Sequence, residues 1–223
     1  MDIYLPYLPL LLQGLWVTLQ VFSCAALLAI SFAMLAGVAR YSGPVFIRWP
    51  VTVMVEFFRG TSAFVQLFWC FYALPLMGVT LSPFVTSVVV LGLNVGSFGS
   101  EVVRGALDAV PRAQTEAARA LNYTPFRVFF HIQMPQALAI AIRPGANLLV
   151  DLLKLTPLTS LVTVSDLTRN AMVMRTQTGN TIATLLCIFV IYFLLASLIY
   201  AVMNRLEARM SHRRVVRRVE VPA

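Results

Sequence analysis

Charged residues make up only 12% of this 223-residue chain, against roughly a quarter in soluble domains. Lysine occurs once, as Lys154. With 59% hydrophobic residues and a mean hydropathy of +0.82, this scarcity excludes an ordinary soluble domain and assigns the chain to a bilayer. Histidine is almost missing too: His131 and His212 stand alone. Cys24, Cys70 and Cys187 lie in separate apolar stretches without CxxC spacing, so neither a disulfide framework nor a zinc site is indicated, and they read as small hydrophobes. There is no GxxxxGK[ST], no HExxH and no Ser/Lys or Asp dyad pattern, which removes self-contained ATP hydrolysis and disfavours a membrane-embedded enzyme working through Glu101 or Asp166. The N-terminus has no basic n-region, so its apolar run is expected to stay in the mature protein.

What is present is a formal charge of +8 carried by arginine, and the arginines do not form one face as a nucleic-acid binder would require. No nucleic-acid partner is expected. Between Asp2 and Arg40 there is no charge, and Leu8 to Val38 suffices for one spanning helix, which needs roughly 20 apolar residues. Ser42-Gly43-Pro44 turns the chain. A second segment is predicted from about Trp49 to Leu76, carrying Glu56 and Arg59 early, and a third from about Pro83 to Ser100. Residues 101–135 hold most of the mid-sequence charge and read as a loop. Gln136 to about Thr156 is the weakest span because it holds Arg143, Asp151 and Lys154, which must be shielded or lie near an interface. Thr176 to Asn204 is the last span, and residues 205–223 form a basic tail suited to anionic lipid.

The expected class is therefore all-α integral membrane, with five transmembrane helices. Counting arginines outside the helices places thirteen on one side and two on the other, so the positive-inside rule puts the N-terminus outside and the C-terminus in the cytoplasm. The loop 101–135 is then cytoplasmic. Within it Arg112 to Leu121 is built of strong helix formers after Pro111, with Ala113, Ala117, Ala120 and Leu121 on one stripe. Asn122 suits a left-handed residue past a helix end. Thr124-Pro125 reads as an N-cap followed by Pro at the first helical position, Phe126, Phe129 and Phe130 share a face, and Pro135 is expected to stop the helix. Two short helices of this kind either dock a soluble partner or pack on the chain's own helix ends.

The order Glu116-Ala117-Ala118, then Asn122 four residues on, then Ile132-Gln133-Met134-Pro135, resembles the EAA motif of ABC importer permeases, with Asn where the family has Gly and Met where it has Leu. FFRGTSAFVQLFW (57–69), LGLNVGSFGSEVVRGAL (91–107) and LLKLTPLTSLVTVSDL (152–167) resemble the polar amino acid uptake branch. The resemblance implies a single permease domain over 1–223, with short coupling helices in 101–135 that engage a cytoplasmic ATPase dimer. The coupling set is then Glu116, Ala117, Ala118, Asn122, Ile132 and Pro135. It further implies a second permease copy, identical or a sister, an extracytoplasmic substrate-binding protein, and residence in a bacterial inner membrane. This chain would hold no cofactor and no metal, ATP and Mg being used by the partner. Candidates for the translocation path are Arg59, Gln66, Asn94, Glu101 and Lys154. Arg59 can equally be neutralised by Glu56, Lys154 by Asp151, and Glu101 can be a gate or a solvated interface residue. Gly92 and Gly96 read as a close-packing surface. Substrates fitting the branch include amino acids and compatible solutes of the ectoine type; a proton-coupled carrier is the alternative without an ATPase.

Overall fold

The computed structural model describes residues 5–219, with side chains from 6 to 208, so the tail side chains from 209 on, His212 included, lie outside the described residues. Among the described residues every regular element is helical. In chain order these are α1 (Leu8–Ser42), α2 (Val45–Gly60), α3 (Ala63–Phe68), α4 (Pro83–Asp108), α5 (Arg112–Ala120), α6 (Pro125–Val128), α7 (Met134–Leu155), α8 (Leu167–Thr178) and α9 (Thr181–Val219). A π turn at Trp69–Ala73 and a 3-10 turn at Leu74–Met77 extend α3, and a further 3-10 turn at Thr156–Val162 follows α7.

Three helices are each long and apolar enough to cross a membrane, namely α1, α4 and the 181–208 part of α9; the number rises to five if two bent pairs each make one span. The first pair is α2 with Ala63–Met77, bent by 102°, and the second is Pro125–Val162 with α8, bent by 58°. The continuous second helix expected over 49–76 is thus broken. Its break falls at Thr61 and Ser62, both extended, directly after Gly60. Helix α4 runs past Ser100 to Asp108, because Glu101, Arg104 and Asp108 pair with one another along it at i, i+3 and i+4 and need no loop to reach solvent. The last helix also divides. Gly179, left-handed at φ 67°, ends α8, and Asn180 starts α9 by accepting the Ala183 N–H at 3.1 Å.

The centre of the fold is the contact of α1 with α4. Ala25, Ala29, Ala33 and Gly37 repeat every four residues on α1, and Gly92, Gly96 and Gly99 face them from α4. A Cβ at Gly96 would come within 2.9 Å of the Ala29 carbonyl oxygen, and one at Gly99 within 2.7 Å of the Ala33 Cβ. Lipid tails are as apolar as the helices, so association rests on this close approach and not on a hydrophobic drive. Around it Val21, Leu67, Leu91, Leu152 and Val162 join α1, α3, α4, α7 and the 3-10 turn in one core. A second core, Leu107, Val110 and Ala137 with Phe129, closes the root of the 109–133 segment. A third sets Leu167, Ala171 and Met174 of α8 against Leu11 and α9.

Replacing Gly96 by Val should cost about 1–3 kcal/mol by overpacking against rigid backbone, whereas Gly105→Ala, where a Cβ meets nothing, should be neutral or stabilising. Thermal unfolding in detergent separates the two; equal midpoints for both variants would rule out the tight α1–α4 seam.

Candidate functional site

One buried amide cluster, one half-buried ion cluster and one exposed surface hold nearly all the residues singled out in the sequence. The first cluster sits at the break between α2 and α3, where the last turn of α2 leaves carbonyls unpaired. Gln66, buried, donates from Nε2 to the Phe58 carbonyl at 2.9 Å and the Thr61 carbonyl at 3.2 Å. Asn94 of α4 donates to the same Phe58 carbonyl at 3.0 Å and to Gln66 Oε1 at 3.2 Å. These two amides, counted among path candidates, therefore hold the bend closed and tie it to α4.

About two helical turns further along α4 lies an ion cluster. Glu101 Oε1 is 2.6 Å from Arg40 and 3.3 Å from Arg59, and its Oε2 is 3.0 Å from Arg104. Glu56 adds contacts of 3.5 Å to Arg40 and 3.2 Å to Arg59, and Arg104 also pairs with Asp108 at 3.1 Å. The Arg59 guanidinium lies 5.5 Å over the Phe98 ring. Glu101 is thus a shared anion for three arginines and not a solvated residue, and the expected Glu56–Arg59 pair forms inside the same network. Arg40 is the residue that sequence reasoning missed. It marks the end of the first uncharged stretch, yet its side chain is only 8% exposed. The signal was its place at the end of a span with no other charge, where a bilayer demands a partner.

Lys154 stays apart from both clusters. It pairs with Asp151 at 3.3 Å, and both side chains are more than half exposed, which agrees with an internal i, i+3 pair on α7. Asp166, considered for acid–base chemistry, is fully buried and caps α8, its Oδ1 accepting the Arg169 N–H at 3.0 Å. Beside it the Thr18 hydroxyl donates to the Gly14 carbonyl and accepts the Leu167 N–H, both at 3.0 Å, and Asn170 donates to the Leu10 carbonyl at 2.9 Å. Side chains of α1 and α8 thus satisfy backbone groups at the second broken span.

The exposed surface is formed by α5 and α6. Ala113, Ala117, Ala120 and Leu121 are all exposed, while Ala118 packs inward. Glu116 is exposed as well. Asn122 adopts the left-handed conformation, φ 60°, as the Asn side chain tolerates. Thr124 caps α6 by accepting the Arg127 N–H at 3.4 Å. Exposed Phe126 and Phe130 lie 4.5 Å apart, and Phe129 turns inward to the second core. Pro135 does not stop the helix. A π turn at Phe129–Gln133 carries α6 into α7, and Pro135 sits in the first turn of α7. The wider turn does without the N–H that proline lacks. Ile132 is half-buried there, Gln133 donates to Tyr41 at 3.2 Å, and Gln136 donates to Gln114 at 2.5 Å, bracing the surface on α1 and α5.

Residues 29–212 match the family described as binding-protein-dependent transport system inner membrane component. A "Probable amino-acid ABC transporter permease protein" of Sinorhizobium fredii is 37% identical over 222 residues, covering 95% of this chain and 92% of that protein. The L-cystine transport system permease protein TcyB of Bacillus subtilis is 35% identical over 163 residues, covering 73% of this chain and 70% of that protein. Among solved structures, the crystal structure of an amino acid ABC transporter with histidines superposes with a TM-score of 0.85 at 26% identity, covering 92% of this chain and 96% of that one.

Glu101→Gln removes the nearer of the two carboxylates that Arg40 is buried against, leaving it only Glu56 at 3.5 Å, and should cost up to about 3 kcal/mol. Adding Arg40→Met to Glu101→Gln should recover part of the loss. A double-mutant cycle on thermal unfolding in detergent measures this; zero coupling would show that the pair acts independently.

Proposed function

The chain belongs to the family of binding-protein-dependent transport system inner membrane components, as an ABC permease of the polar amino acid branch, and on that premise we propose how it works. It is half of a membrane path, completed by a second permease copy, and it carries a polar amino acid or an amino-acid-like compound into the cytoplasm. An ectoine-type solute is the variant within the same reading. An extracytoplasmic binding protein delivers the substrate, and a separate ATPase dimer, using ATP and Mg, drives the cycle. In this reading the N-terminus is outside a bacterial inner membrane and the arginine-rich side is cytoplasmic, as the positive-inside count favours.

The observation that carries the coupling role is the surface of α5 and α6. The chain folds this surface but does not cover it: the alanine stripe, Leu121, Phe126 and Phe130 are exposed while Ala118, Val128 and Phe129 anchor it. A small-residue face permits close approach of a partner, and an aromatic pair supplies an anchor of the kind that dominates interface energies. Because α6 runs through a π turn into α7, nucleotide-driven closure of the ATPase would act directly on a membrane helix. Alternating access then follows as the paired bundles rock around a central path. Arg59, Glu101 and Lys154 remain the charged candidates for groups that face this path, and Gln66 and Asn94 act beside it through the bend they hold.

The decisive experiment is a detergent pull-down of the tagged chain coexpressed with the ATPase and binding protein encoded beside it. The ATPase should copurify with the wild type, and Glu116→Lys should weaken that association about thirtyfold, as for an interface hot spot worth roughly 2 kcal/mol. If no ATPase associates with either form, α5 and α6 are not a coupling element and a proton-coupled carrier becomes the better reading.

A further inference from the structure

Helix α2 carries an aromatic stripe beside a polar flank. Phe46, Trp49, Val53 and Phe57 occupy one stripe at helical spacing and are all exposed. Arg48, Thr52 and Arg59 lie on the adjoining flank, about a third of a turn round the helix, with Glu56 between the two; Arg48 and Thr52 line a cavity with residues of α1 and α4, and Glu56 and Arg59 pair with their charges. A helix with an aromatic stripe and an arginine-bearing flank, bent by 102° from the helix that follows it, has at its first turns, around Phe46 to Thr52, the build of an element at a membrane interface.

Behind its polar side is a cavity of about 270 Å³ lined by Arg40, Tyr41, Arg48, Thr52, Arg104 and Asp108. Three of these six are arginines, and their pairing is unequal. Arg40 shares Glu101 and Glu56, and Arg104 holds Glu101 and Asp108. The Arg48 guanidinium has no hydrogen bond or ion pair among the described residues. Arg40, Arg48, Arg59 and Arg104 against Glu56, Glu101 and Asp108 leave one positive charge in excess, and Arg48 is the residue that carries it. Tyr41 accepts from Gln133 at 3.2 Å and keeps its own hydroxyl proton to donate.

We propose that this cavity holds the phosphate of an anionic phospholipid, with the acyl chains lying along the Phe46, Trp49, Val53 and Phe57 face of α2. A phosphodiester monoanion matches the single excess charge, arginine presents a fork suited to phosphate oxygens, and a polar cavity bordered by an exposed apolar stripe fits an amphiphile better than a small soluble anion. The ligand class follows from the cavity; its assignment to the cytoplasmic leaflet rests on the orientation in the proposed function.

The test uses the whole purified chain in detergent, stripped of lipid, with phosphatidylglycerol or phosphatidylcholine added back and bound lipid counted by native mass spectrometry. It requires no ATPase, so its failure is separate from failure of the coupling reading. Phosphatidylglycerol should be retained in preference to phosphatidylcholine, and Arg48→Ala should lower its retention about fivefold, the effect of one arginine near an anionic surface. Arg48→Lys should keep most of it, and Arg143→Gln, a basic residue outside the cavity, should keep all of it. If Arg48→Ala fails to fold, Thr52→Glu, which keeps every arginine and adds a carboxylate to the cavity, should show the same loss. Equal retention of the two lipids, wild-type retention by Arg48→Ala, or by Thr52→Glu where Arg48→Ala does not fold, or full displacement of phosphatidylglycerol by inorganic phosphate would each overturn the proposal.

Discussion

Hydrocarbon offers no hydrogen bonds, so every backbone amide and carbonyl inside it must find its partner within the protein. An unbroken helix meets that demand by itself. A broken one cannot, and two of the candidate spans here are broken. Each break is closed by polar side chains bridging to a continuous helix: Asn94 of α4, with Gln66, at the first, and Thr18 of α1, with Asn170, at the second. Helices α1 and α4 are in turn held together by their alanine and glycine seam. The continuous pair is the frame, and the bent spans are fastened to it by hydrogen bonds that have no competitor in lipid.

Charge is handled by a similar economy of partners. The ends of α1, α2 and α4 meet where the apolar stretches stop, and Glu101 serves three arginines there. One carboxylate shared so widely fixes three helix ends relative to one another, and it does so a short distance along the chain from α5. The ion cluster, the second core and the exposed face of α5 and α6 therefore form one continuous block at that end of the molecule.

Much of this was readable from the sequence because bilayer physics leaves few options. Apolar length located α1, α4, α7 and the body of α9, glycine spacing located the seam, and Asn122 and Thr124-Pro125 located the turn and cap between α5 and α6. What escaped had local signals outweighed by longer ones. Gly60-Thr61-Ser62 is a turn sequence inside a long uncharged run, and the run hid it. Pro135 looked like a stop, and only a π turn, which no periodicity announces, lets it open α7 instead. Arg40 and Glu101 lie 61 positions apart in sequence, so their pairing could not be read without the fold that brings the ends of α1 and α4 together.

The π turn at Phe129–Gln133 also sets an angle. Such a turn holds one residue more than the α-helix it interrupts, and one residue is worth about 100° of rotation. The bearing of Phe126 and Phe130 relative to the packed side of α7 therefore depends on that single surplus position. Loss of one residue there would swing the aromatic pair to a new heading while the rest of α7 kept its neighbours. A lineage could in this way retarget its outward face toward a differently shaped companion in one deletion, without redesigning the part of the molecule that sits in lipid.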